Sequence, residues 1–306
     1  MSWILLLLCA APLPPRAVEV VLGPVHAKQD IDAAFSRDGR LLAVASGAVV
    51  EIWSVREGIR RHTLTLAAPI SALRFGPGGL LAVGCNDGTV VLHSLLSKTP
   101  TIPKQRSEVT NFAFPGRGEN IVVLSRFLVI YSRKDGTEIG SFRPRGYMRC
   151  LDWNDSVGLF VMGGVETSSR LVEPTSGRII RYLPSPLLDG ENLVWVGFNR
   201  KGTKVWALNT SGELYSNPIE GGEEAKVLAE WGKETPAILA VSAMGGWVAH
   251  RAATGEVILQ WPETERKPLR IQAPKTITGL AASDDGAYLA LFMDDGQVRI
   301  RKVRAR

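Results

Sequence analysis

Three groups of residues in this chain could do chemistry. The first is the metal-ligand set: His26, His62, His93 and His250, with Cys9, Cys85 and Cys150. Metal sites draw on short spacings such as C-x-x-C or paired histidines a few residues apart. No such spacing occurs, so no metal site is expected, and Cys85 and Cys150 read as small packed hydrophobes. The second group is acidic. Asp284-Asp285 and Asp294-Asp295 each run into a glycine, a setting in which carboxylates shape turns rather than carry protons. The chain has no G-x-S-x-G elbow, no phosphate-binding G-x-x-x-x-G-K-[ST] and no H-E-x-x-H. No catalytic residue and no cofactor is therefore assigned.

The third group is basic. Lys104, Arg106, Arg126, Arg143 and Arg145 fall in a limited stretch of chain, with Tyr147 beside them and Glu108 as the nearby acid. The net charge of +6 favours acidic partners through long-range attraction. The basic C-terminal "RIRKVRAR" alternates with apolar residues like the outward face of a strand, and no aromatic platforms are interleaved with the cations. Nucleic acid is accordingly not expected. Whether the five cations meet depends on how the chain is folded between them.

That fold is announced by a repeat. "FSRDGRLLAVAS" from Phe35 has counterparts in "FGPGGLLAVGC", "FPGRGENIVVLS", "WNDSVGLFVMGG", "FNRKGTKVWALN", "VSAMGGWVAHR" and "ASDDGAYLALFM". The turn glycines Gly39, Gly79, Gly118, Gly158, Gly202, Gly245 and Gly286 are spaced by 40, 39, 40, 44, 43 and 41 residues. A period of about 40–45 residues built from strands corresponds to one four-stranded propeller blade. Each copy parses accordingly. An alternating strand ends in an aromatic, as in "ISALRF" and "MRCLDW"; the second strand is apolar on both faces; a Gly turn leads to a third; the fourth is polar, as in "GIRRHTL".

The expected fold is thus all-β, a seven-bladed propeller of four-stranded antiparallel blades. The blades lie near 31–66, 70–104, 109–144, 148–184, 193–229, 236–272 and 277–303. The last copy runs out after its third strand, and "AVEVVL", Ala17 to Leu22, is the expected donor of the fourth, closing the ring. Residues 17–306 form one domain. Residues 1–16, with the apolar run "WILLLLCAAPL", read as an export leader, the alternative being a cytoplasmic protein with an extra strand. The run is too short for a membrane span of about 20 residues.

"FSRDGRLLAVASGAVVEIWSV" and "NDGTVVLHSL" from Asn86 resemble the second and third strands of the WD-repeat propeller family, and the resemblance extends over residues 17–306. Trp53 holds the position of that family's tryptophan, with His93, Tyr131 and Tyr215 aligned to it in other copies; no Gly-His or Trp-Asp dipeptide occurs. "ATGEVILQW" and "PTSGRIIRY" echo quinone-binding propellers, as hairpin chemistry shared between families. The WD-repeat resemblance implies a rigid protein–protein interaction platform and no enzyme. In such a ring the loops between blades and the turns between second and third strands share one face. Lys104, Arg106, Arg126, Arg143, Arg145 and Tyr147 then form one candidate patch for an acidic protein or peptide, with Glu166, Asp189 and Glu191 in the opposite sector. The alternative is an exported enzyme or cofactor binder, which would show inward His, Asp or Glu from several blades at the central channel.

Overall fold

The computed structural model describes residues 19–22, 32–95, 97–165, 168–184, 192–222, 224–231, 239–242, 244–273 and 275–303. The leader expectation at residues 1–16, His26 and the acids Glu166, Asp189 and Glu191 lie outside them. Seven antiparallel sheets form the ring. Blade one contains Asp32–Phe35, Leu41–Ser46, Val49–Ser54 and Ile59–Thr65 in spatial order. The inner strands of the others are Ile70–Phe75, Asn111–Ala113, Met148–Asn154, Leu193–Phe198, Leu239–Ser242 and Ile277–Ala282. Neighbouring inner strands touch from blade one to blade five, and from blade six through seven back to one.

The ring is closed as the sequence implies. Glu19–Leu22 pairs antiparallel with Val298–Lys302, in the register Glu19↔Arg301 to Leu22↔Val298, and completes blade seven. Residues 17 and 18 of the expected strand lie outside the described residues. Among the described residues no helix is long and apolar enough to cross a membrane.

Blade two departs from the four-strand expectation: among the described residues it has three, ending at Val90–His93. Pro100 and Pro103 follow in the segment that should supply the fourth, and proline lacks the N–H that a ladder requires. The Thr99 hydroxyl donates instead to the Leu92 carbonyl at 2.8 Å, and Ile102 is buried against Val90 and Leu92.

The core is divided among the seams. Seven apolar clusters each join two neighbouring blades, such as Phe35, Trp53 and Leu22 with Phe292 between blades one and seven. Others pair Phe75 with Ile52 between one and two, and Trp206 with Val248 between five and six. Second strands such as Leu81–Cys85 are buried along their whole length because a blade covers each face.

The recurrent S-x-D-G turn has a local cause. In blade one the Ser36 hydroxyl accepts the Leu41 N–H at 2.9 Å and donates to Asp38, while Asp38 accepts the Arg40 N–H. Blade seven repeats the pattern with Ser283, Asp285, Ala287 and Tyr288. Asn199 does the same work alone in blade five, accepting from Thr203 and Lys204. Six of the ruler glycines have positive φ; in blade six it is Gly246, at φ 66°, not Gly245. The strand register also moves one alignment. Trp53 and His93 pair with Leu42 and Leu81 of their second strands, but in blade five the matching partner Val205 faces Asn217, not Tyr215.

Two histidines meet at the outer edge of the seam between blades one and two. His62 and His93 stack with ring centroids 4.5 Å apart and planes 20° from parallel. Burial, and then the charge of His62, hold His93 below the ordinary imidazole pKa. The unfolded chain therefore takes up a proton first as pH falls, and the stabilisation from neutral His93 is intact above about pH 6.5 and lost below it. Urea midpoints should fall between pH 7.5 and 5.5, and His93→Phe should flatten that slope. An unchanged slope in the variant would remove His93 as its cause.

Candidate functional site

Antiparallel order within each blade places the loops between blades and the turns between second and third strands at one end of the ring. The loop 143–147 and the turn Ser125-Arg126-Phe127 lie there side by side. With Ser107 they enclose a groove of ≈ 420 Å³ whose walls include Arg126, Arg143, Pro144, Tyr147 and Met148. Three residues of the expected patch, Arg126, Arg143 and Tyr147, thus share one concavity. Arg106 and Arg145 are exposed in the loops that border it. No ion pair involves the side chains of Arg106, Arg126, Arg143 or Arg145 among the described residues. Lys104 differs: its ammonium lies 2.6 Å from Asp87 Oδ2. The hydrogen bond to Lys104, with others from Thr89, pulls the Asp87 carboxyl down to about 2.

The loop is held from below. Arg170, almost wholly buried, donates from Nη1 to the Arg145 carbonyl at 2.7 Å and lies over the Tyr182 ring. The Tyr147 carbonyl accepts the Val165 N–H at 2.9 Å, and a Cβ on Gly164 would collide with that same carbonyl. Arg149 sits 5.5 Å from the centre of the Tyr147 ring. Strand alternation hides Arg149 from a sequence reading, but a bulge between Met148 and Cys150 turns it outward.

The central channel holds charges that the sequence reading did not name. Arg74 of blade two donates from Nη1 to the Phe112 and Leu151 carbonyls, both at 3.1 Å, and from Nη2 to Asp152 Oδ1 at 2.7 Å. Asp152 Oδ2 accepts the Phe198 N–H at 3.0 Å. One ion pair therefore spans blades two to five and satisfies peptide groups on inner edges that have no neighbouring strand. Both residues stand one place before the inner-strand aromatic, in "LRF" and "LDW", and a charge in that apolar setting was the available signal.

Asp32, open to channel water but ringed by protein, is pushed up to about 6 by desolvation, against backbone hydrogen bonds from Ala33 and Leu73. Burial also raises Asp284, while Arg74 and Arg37 pull it down and Asp152 pushes it up. The inward carboxylates that the enzyme alternative would show are thus present on several blades, but Asp152 is engaged by Arg74 and the Phe198 N–H, and Asp32 by the Ala33 and Leu73 backbone, so the ring itself uses them. Cys85 and Cys150 are free and buried, and desolvation lifts the Cys150 thiol to about 12. Among the described residues no group of three His, Cys, Asp or Glu is placed to hold a metal.

No family model matches the chain, and no curated protein matches it. Among solved structures it is similar to the β-propeller domain of Cps50 (Swd1) from Myceliophteria thermophila, with a TM-score of 0.73 at 14% identity, over 94% of this chain and 100% of that one. In architecture the chain is a seven-bladed β-propeller.

Proposed function

We propose that this protein is a non-catalytic interaction platform that docks an acidic protein partner on the face carrying the groove between blades three and four. The observation that carries the reading is the set of guanidinium groups, Arg106, Arg126, Arg143 and Arg145, that make no ion pair among the described residues and surround one concavity with Tyr147 exposed in its wall. Some cations elsewhere on the ring are answered by acids, as in Lys204–Glu263 and Arg270–Glu256. Four guanidiniums without a carboxylate partner among the described residues produce a positive field that a complementary partner would cancel, and such a field speeds encounter more than it deepens affinity. The loops that present them are pinned to a closed ring, so little ordering entropy is lost on docking. Lys104 contributes less than its position in the sequence implies, because Asp87 already neutralises it.

Charge reversal tests this directly. Arg126→Glu with Arg145→Glu should weaken capture of the physiological partner by about tenfold or more, with the loss concentrated in the association rate and reduced at high salt. The thermal midpoint should not move, because both side chains are exposed and make no ion pair among the described residues. Unchanged capture by a folded double variant would remove the patch from the interface.

A further inference from the structure

Building on that reading, we infer that the groove accepts a short extended segment of the partner in which one apolar side chain is flanked by carboxylates. Pure charge would suffice for a flat basic surface, but this site has an apolar part as well. Pro144, Tyr147 and Met148 line it, Met148 is buried, and Tyr147 is 43% exposed. Val165, whose N–H bonds the Tyr147 carbonyl, is a further exposed apolar residue on the neighbouring main chain. An apolar side chain seated here removes that surface from water, and the surrounding cations favour acids on either side of it in the bound chain.

The dimensions and rigidity suit such a ligand. A volume of ≈ 420 Å³ falls within the range of about 300–1,000 Å³ usual for ligand pockets. Arg149 lies over the Tyr147 ring, 5.5 Å from its centre, and favours that orientation of the ring. The Arg170 bond to the Arg145 carbonyl, together with the close approach at Gly164, keeps the loop in place before any ligand arrives. Single-stranded nucleic acid fits less well, because its bases need several aromatic faces in succession and Tyr147 is the one aromatic among the described residues lining the groove.

The test is a display selection of random short peptides on the full chain, with the Arg126→Glu/Arg143→Glu variant as counter-selection. Enriched peptides should carry an apolar residue between Asp or Glu, and their binding, followed by fluorescence anisotropy, should weaken by about tenfold or more in that variant. Tyr147→Ala should weaken them comparably while leaving their salt dependence in place. Enrichment of acidic runs with no apolar position, no enrichment at all, or an oligothymidine that competes as well as the peptides would each overturn the inference. Loss of partner capture in the Arg126→Glu/Arg145→Glu variant without any enriched peptide would leave the platform standing and this inference refuted. Enriched peptides with the stated pattern, alongside unaffected capture of the partner, would do the reverse.

Discussion

Removing residues 19–22 should turn a cooperatively melting ring into a chain that aggregates at temperatures the parent tolerates. Two losses act together. Val298–Lys302 becomes an open edge whose unpaired peptide groups, alongside buried Val298 and Ile300, can recruit another chain. Leu22, fully buried among Phe35, Trp53, Phe292 and Ile300, leaves a hole where blades one and seven meet. Leu22→Ala separates the two effects, because it keeps the ladder and creates only the cavity, at a cost of about 2–5 kcal/mol. Size-exclusion chromatography and urea denaturation should therefore rank the parent above Leu22→Ala, and Leu22→Ala above the deletion. A deletion variant that elutes and melts with the parent would show that the closing strand is dispensable.

The second large effect is expected at Gly286. Its backbone is at φ 71°, and an added Cβ would run into the Gly245 Cα of the neighbouring blade. The reverse contact, from a Cβ on Gly245 to the Gly286 Cα, is 2.6 Å. The Trp247 indole seals the spot by donating from Nε1 to the Gly286 carbonyl at 2.9 Å. Gly286→Ala must bear the left-handed conformation, separate two main chains and loosen a buried tryptophan, for a total of about 3–5 kcal/mol. Gly246→Ala is the control. It has φ 66° but nothing within 4 Å of its Cβ, so it should lose only the conformational part, about 1 kcal/mol. Equal urea midpoints for the two variants would mean that the blades do not meet as closely as described.

These residues also show what a sequence can and cannot display. The repeat period was legible because each turn needs a left-handed residue and each second strand must be apolar on both faces. Those are local demands, visible copy by copy. The closing strand was legible by arithmetic, since one copy lacked a strand and one strand lacked a copy. Gly245 looked like one more turn glycine because proximity between turns of different blades leaves no mark in either repeat. Contact between copies likewise hid the stacking of His62 on His93 and the reach of Arg74 to Asp152, while Lys104 and Asp87 meet within one copy where its loop folds back on its turn. Arg149 was hidden differently, by a bulge that breaks the strand alternation. Only part of the candidate patch was legible, because loop positions place Arg126, Arg143 and Tyr147 on one face but do not say which of them share a groove. In blade two the prolines were in plain view, and the expectation of a fourth strand gave the repeat more weight than it gave them.

The partition of the apolar core into separate seams bears on how such a chain can change over time. A substitution at one junction between blades can be compensated by the partner across that junction, without asking anything of the remaining repeats. Each copy is then free to drift under its own local rules while the circle survives. Seven descendants of one pattern can in this way come to share little more than a turn, an aromatic and a buried strand.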